Sequence, residues 1–300
     1  MSSPKHYPWS DKNLSPDQRA DLVIKEMTLD EKIQLLHGLG WQVLFAQQES
    51  GPATRAISTL GFIPGVPRLG IPDLQMTDSV EGVSGAGVKG RYATALPSAE
   101  AMAAAWDPAL SYEIGTLLGH EMRAMGFNMS LGSGINMIRE PRNGRTFEYK
   151  GEDPLLAGTL AGQELKAEKA LHLITDVKHF AVNDQDSGRI VVNSIISKRA
   201  MRESDLLAFQ IALKDSGAGA VMCFLQPHQW NVRMRKRLHA GRTEEGFRIQ
   251  RIRRIGLGRH AKYGEGSHGG SGHRDAGQRL IWGASEEGRG ERRSAHGEAQ

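Results

Sequence analysis

Residues 74–223 alternate between short apolar stretches and longer amphipathic stretches that carry helix-start signals. Strands are predicted at residues 74–76, 127–131, 171–177 (running on into Lys178-His179-Phe180) and 218–223. Helices are predicted between them, beginning at Asp107-Pro108, Asp153-Pro154 and Ser197 and ending near Gly126, Lys169 and Lys214. Strand and helix at this spacing indicate an α/β fold, a parallel sheet with crossover helices.

Two architectures fit this alternation, an open doubly wound sheet and a closed (β/α)8 TIM barrel. A dinucleotide-binding fold needs G-x-G-x-x-G between a strand and a helix, but residues 132–134 supply only Gly-Ser-Gly and no helix is predicted there. Polar residues instead follow several separate strands: Asp78, Arg145, Lys178 and His179. A barrel brings such positions together on one face. The barrel is therefore favoured.

The N-terminal part carries helix signals of its own. Ser15-Pro16 is typical of an N-cap followed by proline at the first helical position. Thr28 and Glu31 have the spacing of a capping box. Residues 40–70 are rich in Gly and Pro and are predicted to form a long loop.

The charge of the chain is divided at Cys223. The whole chain of 300 residues has a formal charge of +4, which invites a nucleic-acid or anionic-surface interpretation. Residues 224–300 hold 14 Arg and 2 Lys against 8 acidic residues, whereas residues 1–223 hold 22 basic and 26 acidic residues. We therefore interpret the two parts separately, as a domain at residues 1–223 and a tail at residues 224–300.

Several classes of protein are excluded by composition. No apolar run of about 18 residues is present, so no membrane span or membrane partner is expected. The first residues are polar, so no signal peptide is predicted and a cytoplasmic location is the expectation. The single cysteine, Cys223, excludes a disulfide framework and a zinc site built from several Cys ligands.

A set of ordered motifs resembles the N-terminal domain of glycoside hydrolase family 3, the β-glucosidase-like enzymes. The matching stretches are Met-Thr-Leu-Asp-Glu-Lys at 27–32, Gly-Ile-Pro-Asp-Leu-Gln-Met-Thr-Asp at 70–78, Ala-Leu-Pro at 95–97, Glu-Pro-Arg-Asn-Gly-Arg-Thr-Phe-Glu at 140–148, Gly-Glu-Asp-Pro at 151–154 and Lys-His-Phe at 178–180. They run in family order over about residues 20–223, and it is the ordered set that is specific.

The resemblance implies a retaining glycosidase that acts on a small glycoside or oligosaccharide and needs no cofactor or metal. It also implies that Asp78, Arg145, Lys178 and His179 line the subsite of the non-reducing sugar. Carboxylates, guanidinium, ammonium and imidazole groups suit the hydroxyls of a pyranose. Family members are often exported, so a periplasmic or secreted location is the alternative to a cytoplasmic one. Residues 183–189 keep the family pattern only in part.

Each candidate residue also has a purely structural interpretation. Asp78 could cap a turn, and Arg145 could pair with Glu148 or Glu152. We interpret Glu148, Glu152 and Asp153 as structural loop and cap residues. For Lys178 and His179 a structural role is less favoured, because adjacent polar groups at a strand end are costly to bury without use.

The tail lacks the catalytic carboxyl groups that the resemblance requires. A retaining glycosidase uses two carboxyl groups about 5–5.5 Å apart. The resemblance implies a nucleophilic Asp in a Ser-Asp-Trp motif and an acid/base in a further domain, but Ser-Asp-Trp occurs nowhere in this chain. We therefore predict no catalytic residue in this chain and expect it to be inactive.

The genetic code suggests why the motif is missing. With suitable synonymous codons, a shift of one base converts residues 225–236 into Tyr-Asn-Arg-Ile-Asn-Gly-Thr-Tyr-Ala-Cys-Glu-Asn, the family's continuation. The same shift converts residues 246–257 into Asp-Phe-Gly-Phe-Lys-Gly-Phe-Val-Val-Ser-Asp, followed by Trp. The hypothesis is that the chain from about Phe224 is an out-of-frame translation and a disordered tail, which leaves the barrel truncated.

Two other functions fit parts of the sequence. The domain could be a non-catalytic sugar-binding barrel fragment, which requires that a partial barrel folds. The Arg-rich tail could contact nucleic acid through phosphates. Because the tail lacks interleaved aromatic residues, zinc-ligand spacing and a helix-turn-helix pattern, the sequence favours no nucleic-acid partner.

Overall fold

The computed structural model describes residues 6–39, 51–57, 60–84, 92–189 and 192–223, together with the backbone of residues 253–255. All of these residues belong to the first of two units into which the chain divides, Met1–Arg259. Every helix in the described ranges is too short or too polar to span a bilayer.

The sheets are built mainly from parallel strands. The described strands are β1 (Gly61–Ile63), β2 (Leu74–Thr77), β3 (Met129–Ser130), β4 (Ser133–Gly134), β5 (Asp176–Phe180), β6 (Ala220–Cys223) and β7 (Arg253–Ile255). They form one sheet ordered β1-β2-β3 and another ordered β4-β5-β6-β7. β1 is antiparallel to β2, and the other described pairings are parallel. From β2 onward, neighbours in space follow chain order, as in a barrel wall.

One extended segment joins the two sheets. β3 pairs with β2, and β4, which follows after residues 131–132, pairs with β5. The N–H of Ser130 also donates to the carbonyl of Ile174 at 2.9 Å, so hydrogen bonds continue from one sheet to the other. Gly132 lies at the bend, where a Cβ atom would come within 1.6 Å of the carbonyl oxygen of Asp176. Glycine is required here because the backbones approach so closely.

The described helices are α1 (Pro16–Glu26), α2 (Leu29–Gln34), α3 (Ala99–Ala103), α4 (Pro108–Met125), α5 (Pro154–Ala170), α6 (Lys198–Glu203) and α7 (Asp205–Ser216). Five of the seven described helices begin where the capping signals predicted, and α3 and α7 were not predicted as separate helices. Short 3-10 turns occur at Pro8–Ser10, Pro52–Arg55, Pro67–Leu69 and Thr146–Glu148. The side chains that cap helices as predicted are Ser15, Thr28, Asp107, Asp153 and Ser197. Each satisfies backbone N–H groups that the first helical turn leaves free.

The largest apolar core lies between the second sheet and two helices. Val177 and Val221 of the sheet pack with Leu165 of α5 and Phe209 of α7, and all four side chains are buried. Phe180 meets Phe209 edge to face, with ring centroids 5.0 Å apart and planes at 86°. This packing fixes β5, and the candidate residues on β5, against the helical layer.

Two predicted elements differ from the structure. Residues 40–70 were expected to be loop, yet they contain β1 and two 3-10 turns. β1 is only three residues long and owes its pairing to β2, so no periodic pattern marks it. The strand expected at 171–177 begins only at Asp176, because the chain first turns at His172, where φ is 62°.

The helix predicted from Ser197 to about Lys214 is divided at Ser204. There φ is −121° and ψ is −87°, outside the helical region. The Ser204 hydroxyl donates to the Ala200 carbonyl at 2.7 Å and lies 2.8 Å from Asp205 Oδ2. These local bonds compete with the helical ladder. Residues 224–300 were predicted to be disordered. This prediction falls outside the described residues except at β7, which is a strand.

Candidate functional site

Lys178 and Asp78 form the centre of the site. Asp78 follows β2, and Lys178 lies in β5, so both stand toward the carboxyl ends of parallel strands. Lys178 Nζ donates to Asp78 Oδ1 at 2.8 Å. The Lys178 side chain is 3% exposed, whereas that of Asp78 is 41% exposed. The pair therefore presents a carboxylate to solvent and anchors it on a buried cation.

Glu148 connects this pair to Arg145. Its carboxylate pairs with the Arg145 guanidinium, and its Oε2 lies 3.4 Å from Lys178 Nζ. Glu148 ends the short turn Thr146–Glu148, which approaches β4 so closely that a Cβ on Gly134 would meet the Glu148 carbonyl at 2.3 Å. The predicted alternative for Arg145, a pair with Glu148, is thus present at the site itself. It holds Arg145 beside Lys178.

His179 is bonded on both sides of its ring. Arg145 Nη2 lies 3.1 Å from His179 Nε2, and the Tyr149 hydroxyl lies 3.3 Å from His179 Nδ1. The same hydroxyl lies 3.3 Å from the Asn183 carbonyl and 2.9 Å from the Asn183 side-chain nitrogen. The His179 ring is therefore fixed by Arg145 on one side and, on the other, by Tyr149, which itself contacts Asn183 in the loop after β5.

The main chain of His179 is clamped as well. The His179 N–H donates to Asn136 Oδ1 at 2.8 Å, and the Asn136 side-chain amide donates to the His179 carbonyl at 3.0 Å. Asn136 is completely buried, just beyond β4. These paired bonds replace part of the ladder where the register between β5 and β6 shifts.

The surroundings of Lys178 and His179 determine the protonation state of each side chain. Burial acts to lower the pKa of Lys178, but the charges of Asp78 and Glu148 outweigh it and raise that pKa above its usual value. Burial, followed by the charges of Lys178 and Arg145, lowers the pKa of His179 well below its ordinary range. At neutral pH the lysine is charged and the histidine is neutral.

A further carboxyl lies beneath the pair, on the same face of β5. Asp176 is fully buried, two residues before Lys178. Burial raises the pKa of Asp176 well above its ordinary value, against the attraction of Lys178. Burial thus favours the neutral form of this carboxyl, whereas the charge of Lys178 favours the ionised form.

A second charged cluster joins Arg139, which follows β4, to the loop after β5 and to the start of α7. Arg139 Nε donates to Asp184 at 3.0 Å and pairs with Asp205 at the start of α7. Burial and the neighbouring charge of Asp205 raise the pKa of Asp184 to about 7, although Arg139 opposes the shift. A cavity of about 230 Å³ lies against Arg139, lined also by Met137, Glu152 and Ser204. None of these lining residues is among Asp78, Arg145, Lys178 and His179.

The structure brings together all four residues that the sequence singled out: Asp78, Arg145, Lys178 and His179. Sequence reasoning assigned Glu148 to a structural role and missed Tyr149, Asn136 and Asn183. Tyr149 and Asn183 flank the recognised motifs at 140–148 and 178–180, which was the available signal. Within the described ranges, no three His, Cys, Asp or Glu side chains are grouped as metal ligands.

Comparisons with known proteins identify relatives of the described part. The glycosyl hydrolase family 3 N-terminal domain matches residues 58–240, which extends past Cys223. A probable beta-glucosidase I of Aspergillus fumigatus is 39% identical over 200 residues, covering 66% of this chain and 22% of the relative.

Solved structures give the same result. Beta-glucosidase 3B from Thermotoga neapolitana, in complex with glycerol, has a TM-score of 0.65 and 33% identity over 70% of this chain and 30% of its own. DesR, a beta-glucosidase from Streptomyces venezuelae in complex with D-glucose, has a TM-score of 0.61 and 35% identity over 70% of this chain and 25% of its own. The chain thus spans less than a third of these relatives, and the described part has an α/β, TIM-barrel-like fold.

Proposed function

Since this chain belongs to glycosyl hydrolase family 3, we propose that residues 1–223 supply the sugar-binding face of a β-glucosidase-like hydrolase acting on O-glycosyl bonds. The substrate class is a small glycoside or oligosaccharide with a glucose-like terminal sugar. The related enzyme from Thermotoga neapolitana has been solved with glycerol and with alpha-D-glucose. Asp78, Arg145, Lys178 and His179 are the residues that would contact the sugar.

The observation that carries this proposal is the alternation of donors and acceptors around Lys178. Asp78 accepts from Lys178 on one side, and Glu148 lies between Lys178 and Arg145 on the other. A pyranose hydroxyl both donates and accepts, so a surface of alternating partners suits several hydroxyls on one ring. Charge-assisted hydrogen bonds from the two cations would supply most of the binding energy.

We propose that the chain binds sugar without cleaving it. A retaining mechanism needs a nucleophile and a second carboxyl that acts as acid and then base. The sequence contains no Ser-Asp-Trp, and the Glu148 carboxylate is engaged by Arg145 and Lys178. Binding without cleavage is also what a non-catalytic sugar-binding fragment would show.

The position of β7 supports the proposal that residues from about Phe224 onward are read out of frame. β7 pairs in parallel with β6, Ala220 opposite Arg253 and Met222 opposite Ile255. In the shifted frame, the codons that begin in residues 253–255 read Val-Val-Ser, immediately before the nucleophilic Asp. Parallel strands are ordinarily runs of Val, Ile and Leu. The shifted frame would thus place a barrel strand, followed by the missing carboxylate, beside β6.

Two measurements on the full-length chain test the proposal. Glucose titrated by calorimetry should bind, whereas an aryl β-glucoside should not be hydrolysed above the rate in buffer. Sequencing the gene across codons 220–260 should reveal a one-base offset that restores Ser-Asp-Trp. Expression of the restored frame, joined to the remainder of the gene, should then give hydrolysis. If glucose does not bind, the sugar-binding proposal is wrong. If the gene has no such offset, the reading-frame proposal is wrong.

A further inference from the structure

The hydrogen bonds around His179 determine which of its ring nitrogens carries the proton. Arg145 has only donors, and its Nη2 lies 3.1 Å from His179 Nε2. Nε2 must therefore accept, so in the neutral ring the hydrogen resides on Nδ1. His179 then donates from Nδ1 to the Tyr149 hydroxyl oxygen, 3.3 Å away.

The remaining bonds of Tyr149 agree with this assignment. The Asn183 side-chain nitrogen donates to the Tyr149 oxygen at 2.9 Å, so that oxygen accepts twice. Its own hydrogen is left for the Asn183 main-chain carbonyl at 3.3 Å. A hydroxyl has one donor and two acceptor sites, and all three are filled. The opposite tautomer would leave two donors facing each other at Nε2.

We propose that Arg145 fixes His179 as the Nδ1–H tautomer, with Tyr149 as the positioning residue that accepts the Nδ1 hydrogen, so that Nε2 presents an acceptor beside the Arg145 donor. A sugar hydroxyl entering between them would accept from Arg145 and donate to Nε2, satisfying both without moving a proton. The inference rests on the proposed sugar-binding function for its ligand. It also predicts a specificity: the sugar must offer a hydrogen-bond donor at this position, because Nε2 can only accept.

The burial of these groups strengthens the argument. Tyr149 is completely buried, and His179 is 8% exposed, so water cannot readily replace a missing partner. The low pKa of His179 keeps the ring neutral in the working range, so that only the two neutral tautomers compete. A fluorine substituent accepts weakly and cannot donate, so it would leave Nε2 without a partner.

The first experiment uses the full chain labelled with 15N-histidine, studied by long-range 1H–15N correlation NMR without sugar. The His179 signals, assigned by their loss in His179→Gln, should show a single neutral Nδ1–H tautomer. Arg145→Met should convert them to a mixture of tautomers, because the Tyr149 hydroxyl can donate to Nδ1 as well as accept from it, whereas Tyr149→Phe and Asn183→Ala should retain the single form because Arg145 still donates to Nε2. An Nε2–H tautomer in the unmodified chain, or no change in Arg145→Met, would overturn the inference.

The second experiment compares glucose with each of its monodeoxyfluoro analogues by calorimetry. One analogue should bind at least about tenfold more weakly than glucose, and Arg145→Met should reduce that ratio at the same position only, because an Nε2–H form could donate to the fluorine. Equal binding of all analogues would contradict the specificity. If no sugar binds, the proposed function fails, and the tautomer measurement alone decides the inference. If Arg145→Met does not fold, the tautomer of the unmodified chain is decisive.

Discussion

Lys178 Nζ donates to Asp78 Oδ1 at 2.8 Å, although the two residues are 100 positions apart in the chain. The bond connects the first sheet to the second across the extended segment that holds β3 and β4. Its cation is buried, and the other neighbouring anion, Glu148, is buried as well. The charged side chains Lys178 and Glu148 are therefore part of the interior of the fold, so a change at either one should alter both the site and the free energy of unfolding.

Replacing Lys178 should destabilise the chain and abolish sugar binding. Lys178→Met keeps the length of the side chain but leaves Glu148 with one cation instead of two. We expect a loss of about 3 kcal/mol in the free energy of unfolding, measured by urea denaturation. The matched control is Lys166→Met on the exposed face of α5, which should change the free energy by less than about 0.5 kcal/mol. Equal stability of the two variants would contradict the buried ionic role of Lys178.

Glu148→Gln should weaken the site by removing the anion shared by Arg145 and Lys178. The amide can accept from one of these donors only, and its NH2 group then faces the other. We expect about 2 kcal/mol of destabilisation and a lower pKa for Lys178, because burial is then opposed by fewer negative charges. NMR of 13C-methylated lysines would follow that pKa. Glu152→Gln, an exposed neighbour in the same segment, should leave it unchanged.

Asp184→Asn should change how stability depends on pH. The native state holds the Asp184 proton up to a pKa of about 7, whereas the unfolded state releases it near the ordinary value of 3.8. Between these values the native state binds more protons, so the stability of the unmodified chain falls as pH rises. The asparagine variant escapes this loss and should gain about 3 kcal/mol relative to the unmodified chain between pH 4 and pH 7.

Urea denaturation at several pH values measures this difference. Ser187→Ala, at an exposed residue of the same loop, removes no titratable group, so it is the control and should give a curve parallel to that of the unmodified chain. A parallel curve for Asp184→Asn itself would show that the carboxyl is not held protonated beside Asp205.

The contact between α4 and α5 can be tested with two glycines on one helix. A Cβ at Gly115 would lie 2.2 Å from the Glu164 carbonyl oxygen, and one at Gly119 would lie 2.6 Å from Leu171 Cδ1. Both alanine substitutions gain similar helix propensity. Only Gly115→Ala meets backbone, so we expect a loss of about 2–3 kcal/mol there and a much smaller change for Gly119→Ala. Thermal melts measure the stability of both variants. Equal losses of stability would contradict the close backbone contact at Gly115.

Local chemistry made most of the helices predictable from the sequence. Asp107 and Asp153 cap α4 and α5 as expected, since each precedes a proline at the first helical position. β2 was expected at 74–76 and is found at Leu74–Thr77. The departures arose where tertiary contacts decide the conformation. At Ser204, which interrupts a helical pattern, the local bonds to Ala200 and Asp205 are joined by one from Arg139, 65 positions earlier, which donates to the Ser204 hydroxyl at 2.9 Å.

The site was predictable to the extent that its residues lie in recognisable motifs. The four predicted residues meet because parallel strands end on one side. Asn136 and Tyr149 could not be inferred, because each acts through a bond to His179, 43 and 30 positions away respectively. Glu148 was interpreted as a structural loop residue. Its burial, at 3% exposed, was not predicted, because an acidic residue in a loop is ordinarily solvated.

The protonation states of Lys178, Arg145 and His179 bear on which groups could take part in proton transfer. The pKa values of Lys178 and Arg145 are raised and that of His179 is lowered. Each shift favours the form that the group already has at neutral pH. Under the proposed function, the sugar-binding face would therefore keep a constant charge near neutral pH. The proton transfers of hydrolysis would then fall to carboxyl groups outside the described residues.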